Sequence, residues 1–168
     1  YHAVYAFWSM LDFLEITFFV LGGYFALILI YDRKIPIYLR IFLALVVAVP
    51  FVLTITGNST FEFNQSVCES AENGFLTQYR LYSEVLVLML ILFCLFKVGR
   101  SKKQNKRALI AIMLSLFLFL GTFSLTSYLA SLTYYYEFLF YGLLALPVFF
   151  IVLVYSITNL QLFRVQSF

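Results

Sequence analysis

Charged residues are scarce in this sequence. Eleven Lys and Arg and eight Asp and Glu make up 11% of 168 residues. A water-soluble domain of this length carries about a quarter charged residues, so the chain has too little polar surface to face water on all sides. Histidine is scarcer still: His2 is the only one. A histidine-based metal site, a Ser-His-Asp triad and bis-histidine haem ligation each need more than that. The two cysteines, Cys68 and Cys94, form no metal motif. One falls in a polar loop and the other deep in an apolar run, so no disulfide is expected between them. Neither GxxxxGK[ST] nor GxGxxG occurs. These absences lead to the expectation that the segment is not an enzyme and has no catalytic, cofactor-binding or metal-binding residues.

What is present is apolar. Hydrophobic residues make up 64% of the chain and aromatics 21%, and the mean hydropathy is +0.98. The solvent that suits such a chain is a bilayer, whose core takes about 20 apolar residues per helix. Five continuous apolar runs meet that length, at 7–31, 38–56, 81–98, 108–132 and 138–158. None alternates with period two, so all read as helices rather than strands of a membrane barrel. The expected fold is an all-α membrane protein, a bundle of five transmembrane helices forming one domain over 1–168. The first run is not a signal peptide, because no basic region precedes it and it holds Asp12 and Glu15. The chain starts with Tyr1 rather than Met, and is expected to be a fragment of a longer one.

The few charges are unevenly placed. "GRSKKQNKR" at 99–107 carries Arg100, Lys102, Lys103, Lys106 and Arg107 and no acid. With five spans, this stretch lies on the same side as Arg33, Lys34, Arg40, Lys97 and Arg164, so ten of the eleven basic residues share that side and Arg80 alone is opposite. Positive charge is retained on the cytoplasmic side. The expected topology has the N-terminus outside and the 99–107 loop and C-terminus in the cytoplasm, in a bacterial inner membrane. A polybasic loop beside a bilayer also attracts anionic headgroups, at about 1 kcal/mol per residue. It lacks the interleaved aromatics that stack nucleic-acid bases. The partners compatible with the sequence are the lipid bilayer and a second copy of the chain; nucleic acid is not among them.

The remaining polar features have structural readings first. The loop 57–80 is polar and acidic, with Glu62, Glu69 and Glu72 and the sequons at Asn58 and Asn64. Pro50 and Pro147 fall inside spans and are expected to kink them, with freed carbonyls satisfied by neighbouring helices. Ser115, Thr122, Ser124, Thr126, Ser127 and Ser131 in the fourth span suit close helix approach.

The informative polar residues are intramembrane and ionisable. Asp12 and Glu15 are three apart, and Arg80 and Glu84 four apart, so each pair shares a helix face. The first and third spans run in the same direction, which puts both pairs in the outer third of the bilayer. Ionisable groups there are expensive and face partners or water. If the faces meet, three acids confront one arginine, and either a carboxylic acid stays protonated or a cation fills the deficit. The four residues form the candidate intramembrane polar or sensing site; a purely structural pairing, or side chains that snorkel to the interface, are the other readings of the same spacing.

The last run and its exit, "YYYEFLFYGLLALPVFFIVLVYSITNLQLFRVQ", resemble the final span of the N-terminal seven-transmembrane sensor region of bacterial histidine kinases. The matching positions are Tyr136, Glu137, Tyr141, Gly142, Tyr155, Leu162, Phe163 and Val165. "VCESAENGFLTQYRLYSEVLVL" is similar to that family's Cys-x-x-x-Glu segment and its fifth span, placing Cys68, Glu72 and Glu84 on family-like positions. The resemblance maps the chain onto spans three to seven. It implies a membrane sensor module of a two-component signal transduction system, with Leu162, Phe163 and Arg164 as the signal-output exit and a cytoplasmic kinase domain downstream as partner. The chain departs from the family in lacking the first two spans, a strongly basic exit and a kinase core. The alternative expectation is a structural or accessory subunit of a larger membrane complex.

Overall fold

Helix is the outcome wherever the sequence offers a long apolar run without a breaker. The computed structural model describes residues 2–31, 34–56, 62–64, 69–71, 75–100, 105–133, 135 and 137–158. Five helices follow one another: α1 (His2–Tyr31), α2 (Ile37–Thr56), α3 (Phe75–Arg100), α4 (Lys106–Thr133) and α5 (Phe138–Thr158). Each is long and apolar enough to cross a membrane. At 1.5 Å per residue, the 21 residues of α5 span roughly 31 Å, the thickness of a hydrocarbon core.

Helix ends follow local chemistry. Pro36 precedes α2, and its carbonyl accepts from the Leu39 amide at 3.1 Å; a proline loses nothing at a helix start, where amides are unpaired anyway. Asn105 precedes α4 and its carbonyl accepts from Leu109 at 3.1 Å, as expected of an N-cap residue. Lys97 and Arg100 fall in the last turn of α3, where positive charge complements the helix dipole.

Two helices start earlier than hydropathy suggests. α1 begins at His2 rather than Phe7, since neither glycine nor proline interrupts the first turns. α3 begins at Phe75 rather than Leu81. Its first turns are too polar for a lipid-facing run, but Leu76 is buried and Tyr79 and Arg80 find partners on other helices. The loop before α3 also holds the only strands among the described residues. Strand β1 (Glu62–Asn64) pairs antiparallel with β2 (Glu69–Ala71), in the register Glu62 to Ala71, Phe63 to Ser70 and Asn64 to Glu69.

The chain divides into two compact units, residues 1–28 with 32–87 and residues 29–31 with 88–168. In the first, Ile16, Phe19, Leu27, Leu43, Leu76 and Val87 are buried. In the second, α4 and α5 form an antiparallel pair. Phe119 stacks on Phe149 with ring centroids 6.0 Å apart, and seven residues further along α4, Thr126 meets Gly142, seven residues back along α5. A Cβ on Gly142 would run into the Thr126 hydroxyl and lie 3.1 Å from the Phe123 Cα, so this crossing needs a residue without a side chain. Three of the α4 hydroxyls bond within their own helix: Ser115 donates to the Ile112 carbonyl at 2.9 Å, Thr122 to Leu118 at 2.6 Å and Thr126 to Phe123 at 3.0 Å.

Candidate functional site

The first unit brings the four intramembrane ionisable residues together. Asp12 and Glu15 sit on one face of α1, and Arg80 and Glu84 on one face near the start of α3. Arg80 Nη1 donates to Asp12 Oδ1 at 2.8 Å and to Glu15 Oε2 at 3.1 Å. Arg80 Nε lies 3.7 Å from Glu84 Oε1, an ion pair within one helix. One guanidinium thus bridges two helices and faces three carboxylates, with Nη1 donating to both acids of α1.

The cluster is largely buried. The side chains of Arg80, Asp12, Glu15 and Glu84 keep 11%, 10%, 15% and 2% of their exposure. Glu15 Oε1 is fully buried and has no hydrogen-bond partner among the described residues. With all four groups ionised the site carries a net charge of −2, in surroundings where an unbalanced charge is costly. A proton or a cation would offset that excess. Among the described residues no group of three His, Cys, Asp or Glu is disposed to hold a metal ion.

Residues next to the cluster make further contacts, two of them to α2. The Tyr79 hydroxyl, one residue before Arg80, donates to the Val46 carbonyl at 3.0 Å. The Ser83 hydroxyl donates to the Tyr79 carbonyl at 2.7 Å. Phe13, beside Asp12, meets Phe51 with ring centroids 5.6 Å apart. The Thr54 hydroxyl is buried without a hydrogen-bond partner among the described residues. Sequence reasoning did not single out Tyr79. Its signal was Pro50, whose missing amide requires a donor from elsewhere.

The other expected positions are more scattered. In the second unit, Lys97 donates to the Tyr31 hydroxyl at 2.7 Å, with its ammonium 4.1 Å from that ring's centroid. Lys106 donates to the Gly99 carbonyl, and Arg100 is exposed. Cys94 is buried and free. Of the positions on which the expected resemblance rests, Gly142 packs against α4 while Tyr141 and Tyr155 are exposed. Cys68, Glu72, Arg33, Lys102, Lys103, Tyr136 and the exit residues Leu162, Phe163, Arg164 and Val165 lie outside the described residues, as does the side chain of His2.

Five membrane-length apolar helices place the chain among the helical integral membrane proteins. No protein-family model, curated protein or solved structure matches it.

Proposed function

We propose that the chain is a membrane-embedded signal-input module of the kind that feeds a bacterial histidine kinase, and that the ionic cluster around Arg80 is its sensing site. The observation that carries this reading is a largely buried, inter-helical cluster of three carboxylates on one arginine. Within a bilayer such residues are costly, so an intramembrane ionic group marks a functional site by default. The resemblance of the last span and its exit to the sensor region of histidine kinases supplies the output. In this reading the membrane is the bacterial inner membrane, the N-terminus is outside, and the basic 99–107 loop and C-terminus are cytoplasmic, by the ten-to-one division of basic residues. Arg100, Lys102, Lys103, Lys106 and Arg107 hold anionic headgroups on that side. A second copy of the chain and a cytoplasmic kinase domain are the protein partners.

An alternative reading, an accessory subunit of a larger membrane complex, draws on α5. Of that helix only Gly142 and Ser156 are buried, which leaves a broad apolar surface for lipid or another subunit. The coding sequence beyond Phe168 discriminates between the two. A helical linker and a kinase core support the input module; an immediate stop codon removes the kinase output and favours the accessory subunit.

A further inference from the structure

Pro50 lies inside α2 and has no amide to donate to the carbonyl four residues earlier. That carbonyl belongs to Val46, and it accepts from the Tyr79 hydroxyl on α3 at 3.0 Å. A side chain of another helix therefore replaces the backbone hydrogen bond that proline removes, at a residue that is buried together with Pro50 itself. Beyond the proline, α2 runs on to Thr56. Phe51, Val52 and Ile55 are 50%, 55% and 69% exposed, and Phe51 meets Phe13 of α1. The two attachments flank the ion pair: Tyr79 adjoins Arg80 and Phe13 adjoins Asp12, and these two charges are 2.8 Å apart.

We infer that Pro50 is a hinge in α2, that the Tyr79 hydroxyl is its latch, and that the Asp12–Arg80 pair between the two attachments controls whether it is closed. Neutralising the pair shifts α1 against α3 and moves apart Tyr79 and Phe13, which hold α2 before and after Pro50, so that the helix bends at the proline. Tyr79 acts through the backbone of α2 and is a positioning residue. The link to Arg80 rests on the reading of that cluster as the input site; the latch itself does not.

A double-mutant cycle on the whole chain in detergent tests the latch. Tyr79→Phe should lower the folding equilibrium constant by about 3- to 20-fold, the range measured for hydrogen bonds between membrane helices. In a Pro50→Ala background residue 50 regains an amide for the Val46 carbonyl, and the same substitution should then cost less than about 2-fold. Equal losses in both backgrounds would overturn the latch. A distance measurement guards against variants that fold poorly. Spin labels go on Ile55→Cys, past the hinge, and Tyr82→Cys, which is 71% exposed on α3, in a chain with Cys68→Ser and Cys94→Ala. Tyr79→Phe should broaden the distance distribution, and an unchanged distribution contradicts the hinge. Arg80→Gln should broaden it as well. Broadening by Tyr79→Phe but not by Arg80→Gln refutes control by the ion pair and leaves the latch standing. Neither readout depends on kinase output.

Discussion

Removing the Arg80 guanidinium is the sharpest perturbation of the site. In Arg80→Ala, Asp12 loses its 2.8 Å partner and Glu15 its 3.1 Å partner, and the nearby charge of Glu84 loses its counterion at 3.7 Å. Breaking a buried ion pair from one side costs about 3–5 kcal/mol, because the remaining charge stays buried. Arg80 and the two α1 carboxylates keep a tenth or slightly more of their exposure, so partial hydration takes the expected loss to the lower end, about 3 kcal/mol. Arg100→Ala is the control. That residue is exposed in the last turn of α3, and its loss should cost under about 1 kcal/mol. Glu84 is the most deeply buried acid of the cluster. Adding Glu84→Gln to Arg80→Ala removes one unbalanced charge and should recover about 1–2 kcal/mol, a magnitude typical of interactions with a charged buried group. Thermal melts of the three variants in one detergent are sufficient. If Arg80→Ala melts with Arg100→Ala, all four side chains reach water, and neither the paired site nor its sensing role survives.

Two further outcomes are expected. Gly142→Ala should destabilise the chain by about 1–3 kcal/mol through overpacking, because the new Cβ meets the Phe123 backbone and the Thr126 hydroxyl; Gly121→Ala, with open space around it, should be neutral or slightly stabilising in a melt. The purified chain should incorporate no labelled phosphate from ATP, since its sequence holds a single histidine and no phosphate-binding glycine motif; phosphorylation of this segment alone would refute that.

Much of this architecture is legible in the sequence, for physical reasons that also set the limits. A helix surrounded by lipid must be apolar along its whole length, so hydropathy places α5 at Phe138–Thr158 and α2 to within a residue. It fails at the start of α3, where Leu76 is buried and Tyr79 and Arg80 pair with distant residues. Those partners make helix favourable in a stretch that reads as loop. The Arg80 cluster is legible because spacings of three and four fix helix faces, and because spans one and three share a direction. The contact of Tyr79 with Val46 and that of Gly142 with Thr126 are not. Both depend on the rotation and axial register of one helix against another, which 3.6-residue periodicity within each helix leaves open. The strand pair at Glu62–Asn64 and Glu69–Ala71 was likewise hidden, because three-residue strands are too short to show a period.

The account stands on one orientation in the membrane, since a cytoplasmic kinase can be driven only from a C-terminus on its own side. In a chain with Cys68→Ser and Cys94→Ala, single cysteines at Ser70→Cys and Ser101→Cys mark the two sides. A membrane-impermeant thiol reagent added to whole bacterial cells should label position 70 and leave position 101 unlabelled until the membrane is permeabilised. Labelling of position 101 in intact cells would contradict the orientation, and with it the proposed input module.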